Sequence, residues 1–222
     1  MKDFFAKFIE GFSFTALYEK FTEQPVISWA ILGGLVLLAV VLFIVKGEKF
    51  TPKMLATGAI CIAIAFVLSF ITLYRMPQGG SITPASMLPI IAFAYAFGAP
   101  AGIVVGIAYG LLQLTQGLYI VHPAQFLFDY ILPFAFLGFA GLFKKKNLVI
   151  AILVACLLRF GSHFVSGMVF WGEYAPEGQS VWLYSLLYNG SYMLPETIVC
   201  LVVAIIPTMN KVIKGLNAGV KS

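Results

Sequence analysis

Seven apolar runs follow one another along this chain, and most of them are long enough to cross a lipid bilayer. A spanning helix needs about 20 apolar residues. Only 10% of the residues are charged and 61% are hydrophobic, whereas a soluble domain carries about 25% charged residues. We therefore predict an all-α membrane protein without a soluble domain, with runs at Val26–Val45, Met54–Leu73, Met87–Phe97, Ala101–Leu118, Phe126–Phe143, Leu148–Phe170 and Val181–Ile206.

Two units are expected within this series. Residues 1–50 form an N-terminal extension, with one transmembrane helix behind an amphipathic segment, Met1–Glu23. That segment is predicted to lie in the headgroup region, the alternative being a poorly ordered tail. Residues 51–222 then form a six-helix unit. Its short run Met87–Phe97 passes through Gly98-Ala99-Pro100 into the next run, which predicts a tight helical hairpin.

The positive residues indicate the orientation of the spans, because short cytoplasmic loops are enriched in Lys and Arg. Lysines gather in the loop that holds Lys49, in the loop Lys144–Lys146, and near the C-terminus at Lys211 and Lys214. This pattern predicts a multi-pass membrane protein with a cytoplasmic C-terminus and an external N-terminus. The net charge of +5 follows from these loops, so we do not expect nucleic-acid binding.

Cysteine and phosphate-binding patterns exclude several other functions. Cys61, Cys156 and Cys200 each lie alone in an apolar run, so neither a disulfide framework nor a metal site is predicted, and no cofactor is expected. The phosphate-cradling pattern GxxxxGK[ST] does not occur in the sequence. Any ATP-driven step would therefore depend on a partner.

A few polar and aromatic groups lie in the outer halves of three apolar runs. Polar side chains within a membrane span are costly, so each of them is first interpreted as a functional residue. A pocket that combines a carboxylate, an imidazole, an amide and aromatic rings suits a flat, cationic, hydrogen-bonding molecule. For the aromatic residues taken singly, a membrane-interface belt is the alternative, and for the histidine an interhelical hydrogen bond. The residues are Asp129, Tyr130, His163, Gly167, Trp171, Tyr184 and Asn189.

Two further groups are assigned structural roles. Arg159 and Glu196 both fall near mid-bilayer, and we predict that they form an ion pair that holds the bundle together, with a proton relay or catalytic dyad as the alternative. Ala59 and Ala63, with Ala56 and Ala65 nearby, predict a smooth helix face that serves either internal packing or docking of another helix.

Several of these motifs, taken together, resemble the thiamine-specific substrate-binding subunits, or S components, of energy-coupling factor (ECF) transporters, in the form found in bacilli and clostridia. The resemblance covers Met54 to Pro207. It rests on Met76-Pro77-Gln78-Gly79-Gly80-Ser81, on His122-Pro123 followed by Asp129-Tyr130, on Arg159 with His163, Gly167 and Trp171, and on the segment Val181–Gly190.

The resemblance implies a six-helix fold with a thiamine pocket near the outer face, closed by the loop Arg75–Ala85 with Gln78 and Gly79 in the lid. It implies that the acidic ligand group is Asp129 and the stacking aromatic is Trp171, with the other pocket groups named above. It also implies that Ala59 and Ala63 dock the transmembrane coupling subunit, which works with two ATPase subunits. Capture would be non-catalytic, so no enzyme activity is expected.

Three departures accompany the resemblance. Some members carry Glu at the position of Asp129, some carry an aromatic residue in the lid that this chain lacks, and the usual form has no counterpart of the extension through Val45. Two other functions are weighed beside it: a self-sufficient cation-coupled carrier with a proton path through Asp129, Arg159 and Glu196, and an intramembrane enzyme with His163 and Asp129 as acid and base.

Overall fold

The computed structural model of the chain describes residues 49–116, 122, 125–144 and 146–218, together with Gly34. Within this part the fold is helical, apart from one short β-hairpin, β1 (Tyr74–Arg75) paired antiparallel with β2 (Ser81–Ile82). Its α-helices are α1 (Pro52–Phe70), α2 (Leu88–Phe97), α3 (Ala99–Gln113), α4 (Leu132–Leu137), α5 (Leu148–Phe170), α6 (Val181–Ile205) and α7 (Pro207–Ala218). The N-terminal amphipathic segment, and the first predicted span apart from Gly34, lie outside the described residues.

Four of the described helical segments are long and apolar enough to cross a membrane: Pro52–Phe70, Ala99–Gln116, Leu148–Phe170 and Val181–Ile205. Two shorter apolar segments, Leu88–Phe97 and Leu127–Phe143, lie between them. Leu157 and Leu194, on the third and fourth of these spans, expose about two thirds of their surface, at 66% and 64%. Such exposure suits contact with lipid and confirms the predicted multi-span membrane fold.

Local sequence signals set the helix ends. Thr51 caps α1 by accepting a hydrogen bond from the Met54 N–H at 3.2 Å, directly before Pro52. Asn147 caps α5 in the same way through the Val149 N–H at 2.8 Å. Gly98, with a φ of 109° that other residues rarely adopt, joins α2 to α3. The predicted tight hairpin is therefore confirmed.

The short helix α2 lies at the centre of the fold. Its residues are almost completely buried, and it packs against α1, α3, α5 and α7. Helix α3 in turn packs closely on α4 and on the turn Leu127–Ile131 that precedes it. A Cβ atom added at Gly106 or Gly110 would collide with the backbone carbonyl of Phe134 or Tyr130, respectively. These two glycines thus allow the chain around Asp129 to approach α3 closely.

Two features of the helices differ from the sequence-based prediction. The C-terminal residues after Pro207 form a separate helix, α7, which packs on α2 and α6 and buries Ile213 while Lys211 and Lys214 remain exposed. The fifth apolar run is not a uniform α-helix, because it begins with a π-helical turn, Leu127–Ile131, and ends in a 3₁₀ segment, Gly138–Phe143.

Candidate ligand-binding site

A cavity of about 430 Å³ lies between the β-hairpin and the ends of α3, α5 and α6. Its volume is within the range of small-molecule sites, about 300–1,000 Å³. Its lining is rich in tyrosine, amide and charged side chains. All of the residues predicted to bind ligand line it, namely Gln78, Gly79, Asp129, Tyr130, His163, Gly167, Trp171, Tyr184 and Asn189.

Asp129 is held in the cavity wall by three side chains from different parts of the chain. Its Oδ1 lies 3.1 Å from Nδ1 of His163, and its Oδ2 accepts hydrogen bonds from Gln125 Nε2 at 2.8 Å and Trp171 Nε1 at 3.4 Å. The three donors orient the carboxylate before any ligand is bound.

The imidazole of His163 is oriented by the same contact. Because a carboxylate oxygen accepts from Nδ1, the neutral ring carries its proton there and leaves Nε2 as an acceptor. Nε2 is buried and has no hydrogen-bond partner within the described part of the chain. The pair Asp129–His163 therefore offers a negative charge and a free acceptor from adjacent positions on the cavity wall.

Gly167 and Asn189 lie at the contact between α5 and α6, beside the cavity. A Cβ at Gly167 would overlap Ser185, so the glycine lets α6 approach α5 closely. Across this contact Ser185 Oγ donates to the Phe164 carbonyl at 2.7 Å, and Asn189 Nδ2 donates to the His163 carbonyl at 3.2 Å. The amide oxygen of Asn189 accepts from Tyr192 at 2.9 Å. Both the nitrogen and the oxygen of the Asn189 side-chain amide are therefore hydrogen-bonded within the protein.

The β-hairpin lines one side of the cavity, and its role as a lid stays a prediction. Its turn is closed by the Met76 N–H donating to the Gly80 carbonyl at 2.6 Å, with Gly79 at a φ of 101°. The backbone N–H of Gln78 donates to the hydroxyl of Tyr188 on α6 at 3.0 Å. This contact joins the tip of the hairpin to the tyrosine wall of the cavity.

The predicted ion pair between Arg159 and Glu196 is wrong. The carboxylate of Glu196 instead accepts from the Thr83 N–H at 2.5 Å and the Thr83 hydroxyl at 2.6 Å, with the Ser86 hydroxyl at 3.4 Å. The guanidinium of Arg159 lies 4.5 Å from the ring centroid of Phe134, and its Nε has no partner among the described residues. Backbone and hydroxyl donors from the segment after the hairpin outcompete the arginine because they reach the carboxylate directly.

The small-residue face predicted on α1 is exposed at Ala59 and Ala63, and its role in docking stays a prediction. Ala56, Ala59 and Ala63 are exposed on α1, but Ala65 is completely buried and its carbonyl accepts from Tyr109 at 3.3 Å. Ala65 therefore faces the interior, and the small-residue surface is confined to the other three alanines.

Two residues that line the cavity, Gln125 and Tyr192, were not selected from the sequence, and Tyr188 was noted at the outer end of the last apolar run without being named a ligand-binding residue. Each had a helical-spacing signal. Gln125 precedes Asp129 by four residues, and Tyr188 and Tyr192 continue at four-residue steps from Tyr184, so each shares a helix face with a selected residue. Gln125 is 1% exposed, which identifies it as a buried support of the carboxylate.

The fold and the cavity together define a membrane-spanning helical protein with a cavity lined by charged, amide and aromatic side chains. Comparison with known proteins identifies the family. Residues 55–214 match the family model described as thiamine transporter protein (Thia_YuaJ), so the chain belongs to this family.

Individual relatives agree with the family model. The chain is 38% identical to "Thiamine transporter ThiT" of Bacillus subtilis over 163 residues, which cover 65% of this chain and 84% of that protein. It is 30% identical to the protein of the same name from Lacticaseibacillus paracasei over 136 residues, 53% of this chain and 68% of that one. The solved structure of ThiT from Listeria monocytogenes superposes with a TM-score of 0.63 at 30% identity, covering 72% of this chain and 96% of that one.

Proposed function

We propose that this chain is the thiamine-binding subunit of an ECF-type importer, which captures thiamine from outside the cell. The observation that supports this most strongly is the carboxylate of Asp129, held by Gln125, His163 and Trp171 in the cavity wall, in a chain of the thiamine transporter family. Thiamine carries a fixed positive charge on its thiazolium ring and has an aminopyrimidine with hydrogen-bonding groups. A carboxylate and aromatic faces complement both rings.

The charges around the cavity favour a monocation. Asp129 and Glu196 are acidic and Arg159 is basic in the inner wall, and a neutral His163 adds no charge, so the inner wall carries one net negative charge. Arg75 also lines the cavity, but it is exposed on the β-hairpin. A thiamine cation would balance the negative charge of the inner wall. A phosphate ester would reverse the balance, so thiamine phosphates are expected to bind more weakly.

The energy for import would come from partners. The proposed partners are a transmembrane coupling subunit, which would dock on the exposed alanines Ala59 and Ala63 of α1, and two ATPase subunits. The C-terminus would lie in the cytoplasm, the N-terminus outside, and residues 1–50 would be an added membrane anchor. Thiamine uptake into vesicles that lack the coupling subunit and ATPases would contradict this assignment and favour a self-sufficient carrier.

The test is a titration of the purified protein with thiamine while tryptophan emission is recorded. Trp171 contributes one of three tryptophans, and stacking of the thiazolium or pyrimidine ring on it should quench its emission. Trp171→Phe should abolish the quenching. Trp182→Phe is the matched control, because Trp182 is 55% exposed beyond the cavity lining, and it should retain the response.

Asp129→Asn tests the charge separately, because it preserves the size of the side chain. Loss of a charge-assisted interaction, about 1.5–3 kcal/mol, should weaken binding by roughly ten- to a hundred-fold. If the wild-type protein shows neither quenching nor heat of binding with thiamine, the proposed substrate is wrong. Chemical conversion of bound thiamine on incubation would instead indicate an enzyme.

A further inference from the structure

The helical turn that carries Asp129 has π-helical rather than α-helical hydrogen bonding. The N–H of Leu132 donates to the carbonyl of Leu127, five residues back, where an α-helix would use Phe128. Pro133 explains the change of register, because it has no N–H and its ring would clash with the carbonyl of Asp129, four residues before it. The carbonyls of Phe128 and Asp129 therefore lose their usual α-helical donors.

Helix α5 supplies the missing donor for one of them. The hydroxyl of Ser162 donates to the carbonyl of Phe128 at 2.7 Å, and this contact is buried, with Ser162 only 4% exposed. The next residue, His163, contacts the side chain of the next residue of the turn, Asp129. Two successive residues of α5 thus bind two successive residues of the π-turn, first through the backbone and then through the side chain.

The π-turn changes where Asp129 points. In an α-helix a residue five positions further on lies about 140° around the axis, because each residue turns the helix by about 100°. In a π-turn, whose hydrogen bonds join residues five rather than four apart, the residue five positions on lies closer to the first around the axis. Asp129 and Phe134 are five residues apart, and both line the cavity. With α-helical bonding through this turn, the two side chains would diverge.

We propose that Ser162 is a positioning residue of the ligand site: its hydroxyl stabilises the π-helical turn and thereby keeps the Asp129 carboxylate on the cavity wall. The role rests on the proposed function, in which Asp129 meets the cationic ligand. Ser162 itself does not line the cavity, so it acts only through Phe128 and the turn.

The variant Ser162→Ala removes the donor and leaves a buried carbonyl without a partner, which favours a shift of the turn away from its π register. We expect thiamine affinity to fall about ten-fold. Ser166→Ala is the matched control: Ser166 lies one turn further along α5, is completely buried, and its hydroxyl has no partner among the described residues. Its affinity should equal that of the wild type, and Ser162→Thr, which keeps the hydroxyl, should recover most of the lost affinity.

A second measurement reports on the turn without ligand. The chain has two histidines, so nitrogen-15 spectra of histidine-labelled protein can be assigned with His163→Gln. The wild type and Ser166→Ala should show His163 protonated at Nδ1, bonded to Asp129, and Ser162→Ala should show this signal shifted or lost. In an Asp129→Asn background, Ser162→Ala should have little further effect on affinity, because both changes remove the same positioned charge.

Equal affinity and an unchanged His163 signal in Ser162→Ala would overturn the proposal. So would an affinity loss that remains undiminished in the Asp129→Asn background, since this would indicate a general packing defect. If the wild type does not bind thiamine at all, the proposed function fails, and the role of Ser162 in the turn is then decided by the unliganded spectra alone.

Discussion

Replacement of Glu196 by glutamine should loosen the connection between the β-hairpin and α6. The two oxygens of Glu196 accept separately from the N–H and the hydroxyl of Thr83, and all three groups are buried, with Glu196 and Thr83 each 4% exposed. Hydrogen bonds to a buried charged group are worth about 1.5–3 kcal/mol each, and neutral ones about 0.5–1.5 kcal/mol. The carboxylate of Glu196 therefore links α6 to the segment that follows the hairpin.

The magnitude follows from what glutamine can replace. Its single oxygen can still accept from the Thr83 N–H, and its amide can donate to the Thr83 hydroxyl if that hydroxyl donates to Ser86, its partner at 2.7 Å. The loss is then mainly that of charge assistance, about 1–2 kcal/mol. Glu196→Leu would leave the buried N–H of Thr83 without an acceptor and should cost more, about 3 kcal/mol or above.

Thermal unfolding in detergent micelles provides the assay, with the order wild type, Glu196→Gln, Glu196→Leu expected for decreasing transition temperature. Thr83→Val removes only the hydroxyl, and its effect should be less than additive with Glu196→Gln because the two share a bond. Thr197→Val is the control, since Thr197 is the next residue on α6 but donates within its own helix, to the Met193 carbonyl at 2.7 Å. A transition temperature unchanged by Glu196→Gln, or fully additive effects, would refute this account.

Three further variants test other contacts. Tyr188→Phe removes the acceptor for the Gln78 N–H and should speed thiamine release severalfold in stopped-flow fluorescence, with the unfolding temperature nearly unchanged. Gly34→Leu should weaken thiamine binding, because it would displace the turn that carries Asp129. Even a Cβ atom at Gly34 would lie 2.8 Å from Leu127 and 2.9 Å from Phe128. Unchanged affinity would show that the turn tolerates the displacement. Ala59→Leu should impair co-purification with the proposed coupling subunit without changing thiamine affinity. The same change at Ile60, also exposed on α1, should impair neither co-purification nor affinity.

The sequence predicted the spans and most of the cavity because hydrophobic length and helical spacing are local properties. The run Leu148–Phe170 matches α5 residue for residue, since Asn147 caps its start and Trp171 follows its end. Likewise His163, Gly167 and Trp171 share one face by spacing alone, and two of them meet Asp129. The prediction that residues 1–50 form an extension with its own span stays a prediction.

Contacts between distant segments were not predictable in the same way. Depth in the membrane placed Arg159 and Glu196 at similar levels, but depth does not determine which way a side chain points or which competing donors are nearby. Thr83, more than 110 residues before Glu196 in the chain, reaches the carboxylate only because the hairpin folds back over the cavity. The π-turn was also missed, although Pro133, four residues after Asp129, is a local signal that the α-helical register must change there.

The same local change of register accounts for how an acidic residue can be kept in an apolar run. An ionised carboxylate in a membrane span is costly unless several donors satisfy it. Here the donors come from three directions: Gln125 one turn earlier on the same segment, His163 on α5, and Trp171 at the end of α5. The π-turn aims the carboxylate at the cavity while Gln125 remains within reach at 2.8 Å. A cation that entered the cavity would therefore meet a carboxylate that is already oriented. The conformational entropy lost in ordering the Asp129 side chain is then a cost of folding and not of binding.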